Sequence, residues 1–230
     1  MLNENQLNPE TQYENFLVDP KKNTLTMGAM RAHDWFEDSR RLAFTFSRYK
    51  FVAKILTGKS KVLEIGAGDG FASKLVLDSV DFLQLTDMKK EFVERIQKLY
   101  ENESRVEVQI YNPLKDVINK EFDGIYLLDV MEHISEEFDD ILLENLVSSL
   151  TSTGICIVGM PSMESQKYAS EGSLQGHVNC KSGEALRNLF LRYFHNVFVF
   201  SMNDEVVHTG YFPMAHYLIC IGVSPKKIDL

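Results

Sequence analysis

The sequence predicts an α/β fold, a doubly wound and mostly parallel seven-stranded sheet with an antiparallel edge strand. From residue 61 onward, short apolar segments typical of strands alternate with segments in which apolar residues recur at helical spacing. This alternation predicts parallel strands with helices on both faces, a Rossmann-like arrangement. The last two strand-like segments, 196–202 and 215–223, have no helix between them, so we expect antiparallel pairing at one edge.

The order of the predicted elements follows from the same patterns. The other strands are expected at residues 61–65, 81–87, 105–110, 122–130 and 154–160. Helices are expected at residues 38–56, 70–79, 89–101, 136–150 and 182–194. The segment between Pro161 and Lys181 is a loop long enough to suggest a function. One domain is therefore predicted over residues 38–230, preceded by a polar, loosely structured segment over residues 1–37.

Composition narrows the classes of partner. The 230 residues carry a formal net charge of −9, which argues against a nucleic-acid-binding surface. No apolar run reaches the ~18–20 residues of a membrane span, and the polar, acidic first residues are unlike a secretory signal. Cys156, Cys180 and Cys220 form no C-x-x-C pair, so neither a disulfide framework nor a zinc cluster is indicated. We expect a cytoplasmic protein without a membrane partner.

Three glycines follow the first predicted strand in the stretch KVLEIGAGDG, at Gly66, Gly68 and Gly70. In a doubly wound sheet the ligand lies at the carboxyl ends of the strands. Glycine adopts positive φ without steric cost and lets a ligand approach the backbone closely. The stretch therefore predicts a ligand-binding turn, with a tight strand–helix connection that binds nothing as the alternative.

The glycine spacing also selects the ligand. A dinucleotide site requires G-x-G-x-x-G, but Phe71 stands at the third glycine position counted from Gly66, and Ser73 stands there counted from Gly68. The pattern present is E-x-G-x-G-x-G, with Glu64 two residues before the first glycine. A carboxylate there is unfavourable beside a pyrophosphate and favourable beside an ammonium group. A ligand with an amine and a nucleoside but no phosphate, S-adenosylmethionine, fits this pattern.

The stretch VLEIGAGDG resembles the first motif of the class I S-adenosylmethionine-dependent methyltransferases, and the resemblance extends over roughly residues 60–160. It implies that the protein is a methyltransferase with S-adenosyl-L-methionine as its cofactor. It also implies that the motif, here Glu64, Gly66, Ala67, Gly68 and Gly70, contributes to the cofactor site.

Two further segments are predicted to bind the adenosine part of the cofactor. Asp87 ends the second strand, 21 residues after Gly66, where a carboxylate reaches both ribose hydroxyls; a helix cap is the alternative and is compatible with binding. Met88 would pack against adenine or in the core. Asn112 stands near the position where the family usually carries an acid for the adenine amino group, although Asn before Pro is also a turn signal.

The fourth strand ends in LLDVMEHI, which resembles the D-x-x-E-H ending of small-molecule methyltransferases of the ubiquinone-biosynthesis type. The resemblance implies that Leu128 and Asp129 line the methionine end of the cofactor. His133, directly after this strand, and His177, in the long loop, are the candidate catalytic residues. The alternative for both is an ordinary polar histidine.

A divalent cation is a further option for this segment. Asp129, Glu132 and His133 at positions i, i+3 and i+4 could hold one, with His177 completing the set. The same spacing also occurs where the acid and the imidazole only cap and orient neighbouring groups. The sequence prediction therefore assigns no metal.

The expected function is methyl transfer to a small polar acceptor. A loose resemblance of residues 41–56 and 203–217 to methyltransferases of bacterial surface-polysaccharide biosynthesis favours O-methylation of a sugar or sugar nucleotide. Residues 1–37 could form a substrate lid, because N-terminal insertions commonly cover the site in such sheets; packing of a covering helix is the alternative. The expected partner is a small molecule, with a saccharide preferred, and the chain could form a homodimer.

Three alternatives are kept beside this expectation. The acceptor could be another small molecule, either quinone-like or with a nitrogen acceptor. The chain could be a catalytically silent, methyltransferase-like binding module. An NAD-dependent oxidoreductase is the third, but the missing third glycine and Glu64 argue against it.

Overall fold

Strands at the centre of the molecule form one mixed sheet. The structure, a computed structural model, describes residues 24–116, 118 and 120–227. In these residues eight strands occur, β1 (Lys61–Ile65), β2 (Phe82–Asp87), β3 (Val106–Ile110), β4 (Phe122–Leu128), β5 (Leu150–Pro161), β6 (Phe194–Asn203), β7 (Val206–His208) and β8 (Tyr217–Pro225). Their order in the sheet is β3-β2-β1-β4-β5-β8-β6-β7.

Strand direction divides the sheet into two parts. Strands β1 to β5 are parallel to one another. Strand β8 lies between β5 and β6 and is antiparallel to both, and β7 is antiparallel to β6. The carboxyl ends of β1, β2 and β4 therefore meet at one edge of the parallel part, which is where ligands bind in such sheets.

Helices cover both faces of the sheet. They are α1 (Ala29–Asp38), α2 (Arg40–Ile55), α3 (Lys74–Leu77), α4 (Lys90–Leu99), α5 (Asp139–Ser148), α6 (Glu171–Gly176) and α7 (Gly183–Tyr193). Buried residues of α5 and α7 join one hydrophobic core, whereas those of α2, α3 and α4 join a second. Successive strand residues alternate between the two cores: Leu63 belongs to the first and Val62 to the second.

The predicted fold class is confirmed, including the antiparallel edge, but the strand count was one too low. The eighth strand, β7, returns along the end of β6 after a turn in which Asp204 has φ +49°. The expected helix over residues 70–79 is shortened to α3, because Gly70 has φ +68° and cannot continue a helix. The loop between Pro161 and Lys181 contains α6 and a 3₁₀ segment, Met163–Tyr168.

A second correction concerns the segment expected to be loosely structured. Residues 29–38 of it form α1, and residues 1–23 lie outside the described part of the chain. Tertiary contacts fix the start of α1: the Arg31 backbone N–H donates to the Asp69 carboxylate at 3.1 Å, and Arg95 donates to the Met27 carbonyl at 2.7 Å. These partners are distant in sequence, so local patterns do not reveal them.

No helix in the described residues combines the length and the apolar character of a membrane span.

Candidate functional site

A cavity of about 610 Å³ opens at the carboxyl ends of β1, β2 and β4. Seven of the residues predicted from the sequence line it, namely Gly66, Gly68, Asp87, Met88, Asn112, Asp129 and His133. Its volume is in the range of small-molecule and cofactor sites. The structure thus gathers residues from four separate segments of the chain around one space.

The glycine-rich turn forms the floor of this cavity. Gly66 and Gly68 have φ of +74° and +59°, a backbone conformation that favours glycine. A Cβ atom at Gly66 would overlap the Val130 side chain. The N–H groups of Gly66 and Ala67 both donate to the Thr86 carbonyl at 2.9 Å, which ties the turn to the end of β2. The turn therefore presents bare backbone toward the cavity in a fixed position.

Two other residues of the motif lie behind this surface. Gly70 has φ +68°, and its carbonyl accepts a hydrogen bond from the Tyr100 hydroxyl at 2.8 Å. A Cβ atom there would lie 2.9 Å from Ile96. Ala67 is buried in the core that contains α2. Neither residue lines the cavity, so the structure places them as supports of the turn.

Asp87 connects the turn to the next helix. Its carboxylate accepts hydrogen bonds from the Gly68 N–H at 3.0 Å and from the Lys89 N–H at 2.8 Å. Because a carboxylate has about four acceptor positions, further donors can still bind. Met88 is 61% exposed at the cavity wall, so it is not a core residue.

Asn112 lies at the cavity wall after β3, where it was predicted. Its side-chain oxygen accepts a hydrogen bond from the Leu114 N–H at 3.0 Å, within a turn. Asn112 therefore both forms a turn and lines the cavity. The side-chain oxygen that would accept a hydrogen bond from an adenine amino group already has one donor.

Glu64 does not line the cavity. It is 1% exposed, and its two carboxylate oxygens accept hydrogen bonds from Tyr49 at 2.6 Å and Tyr126 at 2.5 Å. Burial raises the pKa of Glu64 although both tyrosines favour the charged form. In this arrangement Glu64 ties α2 to the sheet beneath the turn, and its predicted contact with the cofactor amine stays a prediction.

Replacing Glu64 by Gln should flatten the pH dependence of stability. The pKa of Glu64 in the folded protein is raised above its ordinary value of 4.5. Between these two pKa values, the folded protein keeps a proton on Glu64 that the unfolded chain has lost. Stability therefore falls as pH rises from 4.5 toward the folded-state pKa, by up to ~1.4 kcal/mol per pH unit. Urea denaturation between pH 4.5 and 7 measures this slope. Glu101→Gln, at an exposed position, is the control; equal slopes for the wild type and Glu64→Gln would contradict the argument.

A charged cluster lies where β4 ends. Asp129 has φ +57°, and both of its carboxylate oxygens accept hydrogen bonds from Arg48 of α2, at 3.0 and 2.8 Å. The Arg48 guanidinium stacks on the Tyr217 ring, 3.7 Å from its centre. Leu128 is buried against Gly159 and does not line the cavity. Asp129 is thus the member of the predicted pair that faces the cavity.

Arg48 and Tyr217 were not predicted as site residues from the sequence. Arg48 stands four residues before the fully buried Val52 on the apolar side of α2, and a cation at such a position is a sequence signal for a buried ion pair. Tyr217 stands at the start of β8, where nothing in the pattern distinguishes it from a core residue.

The two candidate catalytic histidines lie side by side. The ring centres of His133 and His177 are 5.3 Å apart. Burial, followed by the proximity of His133, lowers the pKa of His177. The loop that carries His177 is fixed by the Glu132 carbonyl, which accepts hydrogen bonds from Val178 at 2.8 Å and Asn179 at 3.0 Å. The long loop therefore brings a second imidazole next to His133, which lines the cavity.

Solved structures with the same fold were found, although neither a family model nor a curated protein matches the chain. The N-methyltransferase NodS from Bradyrhizobium japonicum WM9 superposes with a TM-score of 0.61 at 14% identity, over 83% of this chain and 99% of that one. A methyltransferase from Haloferax volcanii, in complex with its activator Trm112, gives 0.66 at 13% identity, over 88% and 100%.

A third structure, the DhpI complex with S-adenosylhomocysteine, superposes with a TM-score of 0.58 at 14% identity, over 85% of this chain and 88% of that one. The chain therefore has the class I methyltransferase fold. The matched structures include N-, carbon- and O-methyltransferases by name, so the fold does not select an acceptor atom.

Proposed function

We propose that this chain is an S-adenosylmethionine-dependent methyltransferase that acts on a small polar acceptor. The observation that carries the proposal is the pairing of a positive-φ glycine turn with Asp87 across one 610 Å³ cavity. A nucleoside needs a carboxylate for its ribose and an open backbone surface for its remaining part, and both are present. The class I methyltransferase fold of the chain supports the same assignment.

Each part of the cavity has a separate task in this proposal. Asp87 binds the ribose hydroxyls, and Met88 and Asn112 border the adenine. The turn at Gly66 and Gly68 supports the methionine part and directs it toward Asp129. When bound, the cofactor supplies a sulfonium methyl group, and the protein positions the acceptor atom ~3 Å from it and excludes water.

Activation of the acceptor is assigned to the histidine pair. A hydroxyl group needs to lose its proton as it attacks, and an imidazole lone pair can take that proton. His133 lines the cavity and His177 lies directly behind it. The lowered pKa of His177 keeps this imidazole neutral, and therefore able to accept a proton, down to lower pH.

Polar side chains at one part of the cavity wall can bind a hydroxyl group of the acceptor. Asp129 and His133 line the cavity, and Arg48 donates to both oxygens of Asp129 from behind the lining residues. Such a set suits a saccharide, and we assign O-methylation of a sugar or sugar nucleotide, as in the biosynthesis of bacterial surface polysaccharides. The loose resemblance of residues 41–56 and 203–217 to methyltransferases of these pathways supports this choice.

His177→Ala should lower turnover by roughly 10²–10⁴-fold, because it removes the group assigned to acceptor activation. The affinity for S-adenosylhomocysteine should stay within about twofold, since His177 is not among the residues that line the cofactor cavity. Release of S-adenosylhomocysteine measures turnover, and calorimetry measures affinity. His195→Ala, at an exposed position in β6, is the matched control. Unchanged turnover in His177→Ala would remove this residue from the reaction.

A panel of acceptors tests the substrate class. Nucleotide sugars, free monosaccharides, a quinol and primary amines are each incubated with the protein and S-adenosylmethionine, and S-adenosylhomocysteine is measured. We expect release above the acceptor-free rate with a saccharide. Release with only the quinol or an amine would overturn the saccharide assignment and retain methyl transfer.

A further inference from the structure

A carboxylate and two imidazoles come together behind the cavity wall. Glu132, His133 and His177 each present one ligand atom, and these three atoms lie within 4.8 Å of one another. Glu132 is fully buried, yet among the described residues neither of its carboxylate oxygens has a hydrogen-bond partner. A buried carboxylate without a partner is costly, so its presence here needs an explanation.

Hydrogen bonds hold both imidazoles in one orientation. The Nδ1 atom of His133 lies 2.8 Å from the Gly176 carbonyl oxygen, and Nδ1 of His177 lies 3.0 Å from the Gln166 side-chain oxygen. Because a carbonyl oxygen only accepts, each Nδ1 carries the proton and each Nε2 keeps a free lone pair. Metal-bound histidines are commonly oriented in this way, by a carbonyl oxygen that accepts from the ring nitrogen facing away from the metal.

The orientation of Gln166 is itself fixed. Its amide nitrogen donates to the Ser162 carbonyl at 3.1 Å, which directs its oxygen toward His177. The bond to Gln166 therefore selects the tautomer of His177 and does not merely accommodate it. Residues of the long loop thus orient one imidazole as a ligand.

Asp129 is not available as a fourth ligand. Arg48 already donates to both of its carboxylate oxygens. The set reduces to one carboxylate and two imidazoles, which is a donor set for divalent transition metals and leaves coordination positions open. Since His133 lines the cavity, an open position can face the acceptor.

We propose that Glu132, His133 and His177 bind one divalent first-row transition metal ion, such as Mn²⁺, Co²⁺ or Zn²⁺. The ion satisfies the buried carboxylate and uses the two Nε2 lone pairs. The proposal of metal binding depends only on the positions of these three side chains. The proposed role of the ion in catalysis rests on the proposed methyl transfer.

With the ion bound, the imidazole lone pairs hold the metal and cannot take the proton of the acceptor. Activation of the acceptor by the ion then takes the place of direct proton transfer to an imidazole. A bound ion would lower the pKa of an acceptor hydroxyl beside it, so that water would take the proton. The acceptor oxygen would form a bond to the methyl carbon while the carbon–sulfur bond breaks, and the electron pair of that bond would go to sulfur, which becomes neutral.

Metal titration tests the site independently of activity. Protein dialysed against EDTA is titrated with MnCl₂, CoCl₂ and ZnCl₂ in a calorimeter, and Co²⁺ binding is also followed by its visible absorption. We expect one ion per chain. Gln166→Ala should weaken binding by ~10–100-fold, and Glu132→Gln, His133→Ala and His177→Ala should weaken it more. His195→Ala, outside the cluster, should leave it unchanged.

S-adenosylhomocysteine binding to the same metal-free samples separates the two proposals and reports that each variant is folded. Retained binding with lost metal affinity in the three ligand variants supports the site. No metal binding by the wild type, or equal affinity in the ligand variants, would overturn it. Metal binding without any S-adenosylhomocysteine binding would overturn the proposed function and leave the metal site standing.

Discussion

Asp87→Ala should weaken S-adenosylhomocysteine binding at least a hundredfold, which corresponds to about 3 kcal/mol. Two losses contribute to this effect. The carboxylate no longer accepts hydrogen bonds from the ribose, each worth ~1.5–3 kcal/mol for a charged acceptor. The Gly68 N–H also loses its 3.0 Å hydrogen bond to the Asp87 carboxylate. The glycine turn is then held less firmly at the cavity. Calorimetry measures the affinity.

Asp81→Ala is the matched control for this variant. Asp81 immediately precedes β2, at the opposite end of the strand from Asp87, and is exposed. Its removal should leave the affinity within about twofold. If Asp87→Ala, with an unchanged circular dichroism spectrum, binds S-adenosylhomocysteine as tightly as the wild type, the ribose does not lie at Asp87.

Lys181→Met should destabilise the protein by ~3–5 kcal/mol. The Lys181 Nζ atom lies 2.6 Å from an oxygen of Asp139, and the side chains are only 6% and 8% exposed. Lys181 also donates to the Asn179 side-chain oxygen at 2.8 Å, and Asn179 donates to Asp139 at 2.8 Å. Removing the cation leaves a buried carboxylate with its charge uncompensated. Urea denaturation measures the loss.

Two further variants make this result specific to burial. Lys74→Met breaks the ion pair with Asp78, whose partners are more than half exposed, and should cost less than ~1 kcal/mol. The double variant Lys181→Met/Asp139→Leu removes both charges and should recover a large part of the lost stability. A loss of under ~1 kcal/mol in Lys181→Met alone would show that the pair is not a main support of the loop that carries His177.

The end of the sheet that carries the cavity could be predicted from the sequence because its signals are local. Three glycines directly after an apolar strand require positive φ, and the structure shows φ of +74°, +59° and +68° at Gly66, Gly68 and Gly70. Asp87 follows from its position at the end of the next strand. Strand–helix alternation likewise determines the parallel part of the sheet, since a right-handed crossover permits few other arrangements.

Contacts between distant segments were not predictable in the same way. The hydrogen bonds from Tyr49 and Tyr126 to Glu64 join α2, β4 and β1, and no local pattern encodes them. The proximity of His133 and His177 depends on backbone bonds between the long loop and the Glu132 carbonyl. The sequence therefore predicted both histidines as candidates, whereas their pairing required the three-dimensional structure.

The start of the domain shows the same limit of local patterns. No helix was predicted over residues 29–38, and the start of α1 is held by Asp69, which accepts the Arg31 N–H, and by Arg95, which donates to the Met27 carbonyl. Met30 of α1 then reaches the cavity wall. The lid function expected for residues 1–37 stays a prediction.

Calorimetric titration of the wild-type protein with S-adenosylmethionine, S-adenosylhomocysteine and NAD tests whether the glycine turn and Asp87 form an adenosyl site. We expect both adenosyl ligands to bind at one site per chain with micromolar affinity, and NAD not to bind. Binding of NAD would place a dinucleotide at the glycine turn instead. No binding of either adenosyl ligand would contradict the proposed function and mean that Gly66, Gly68 and Gly70 shape only a turn.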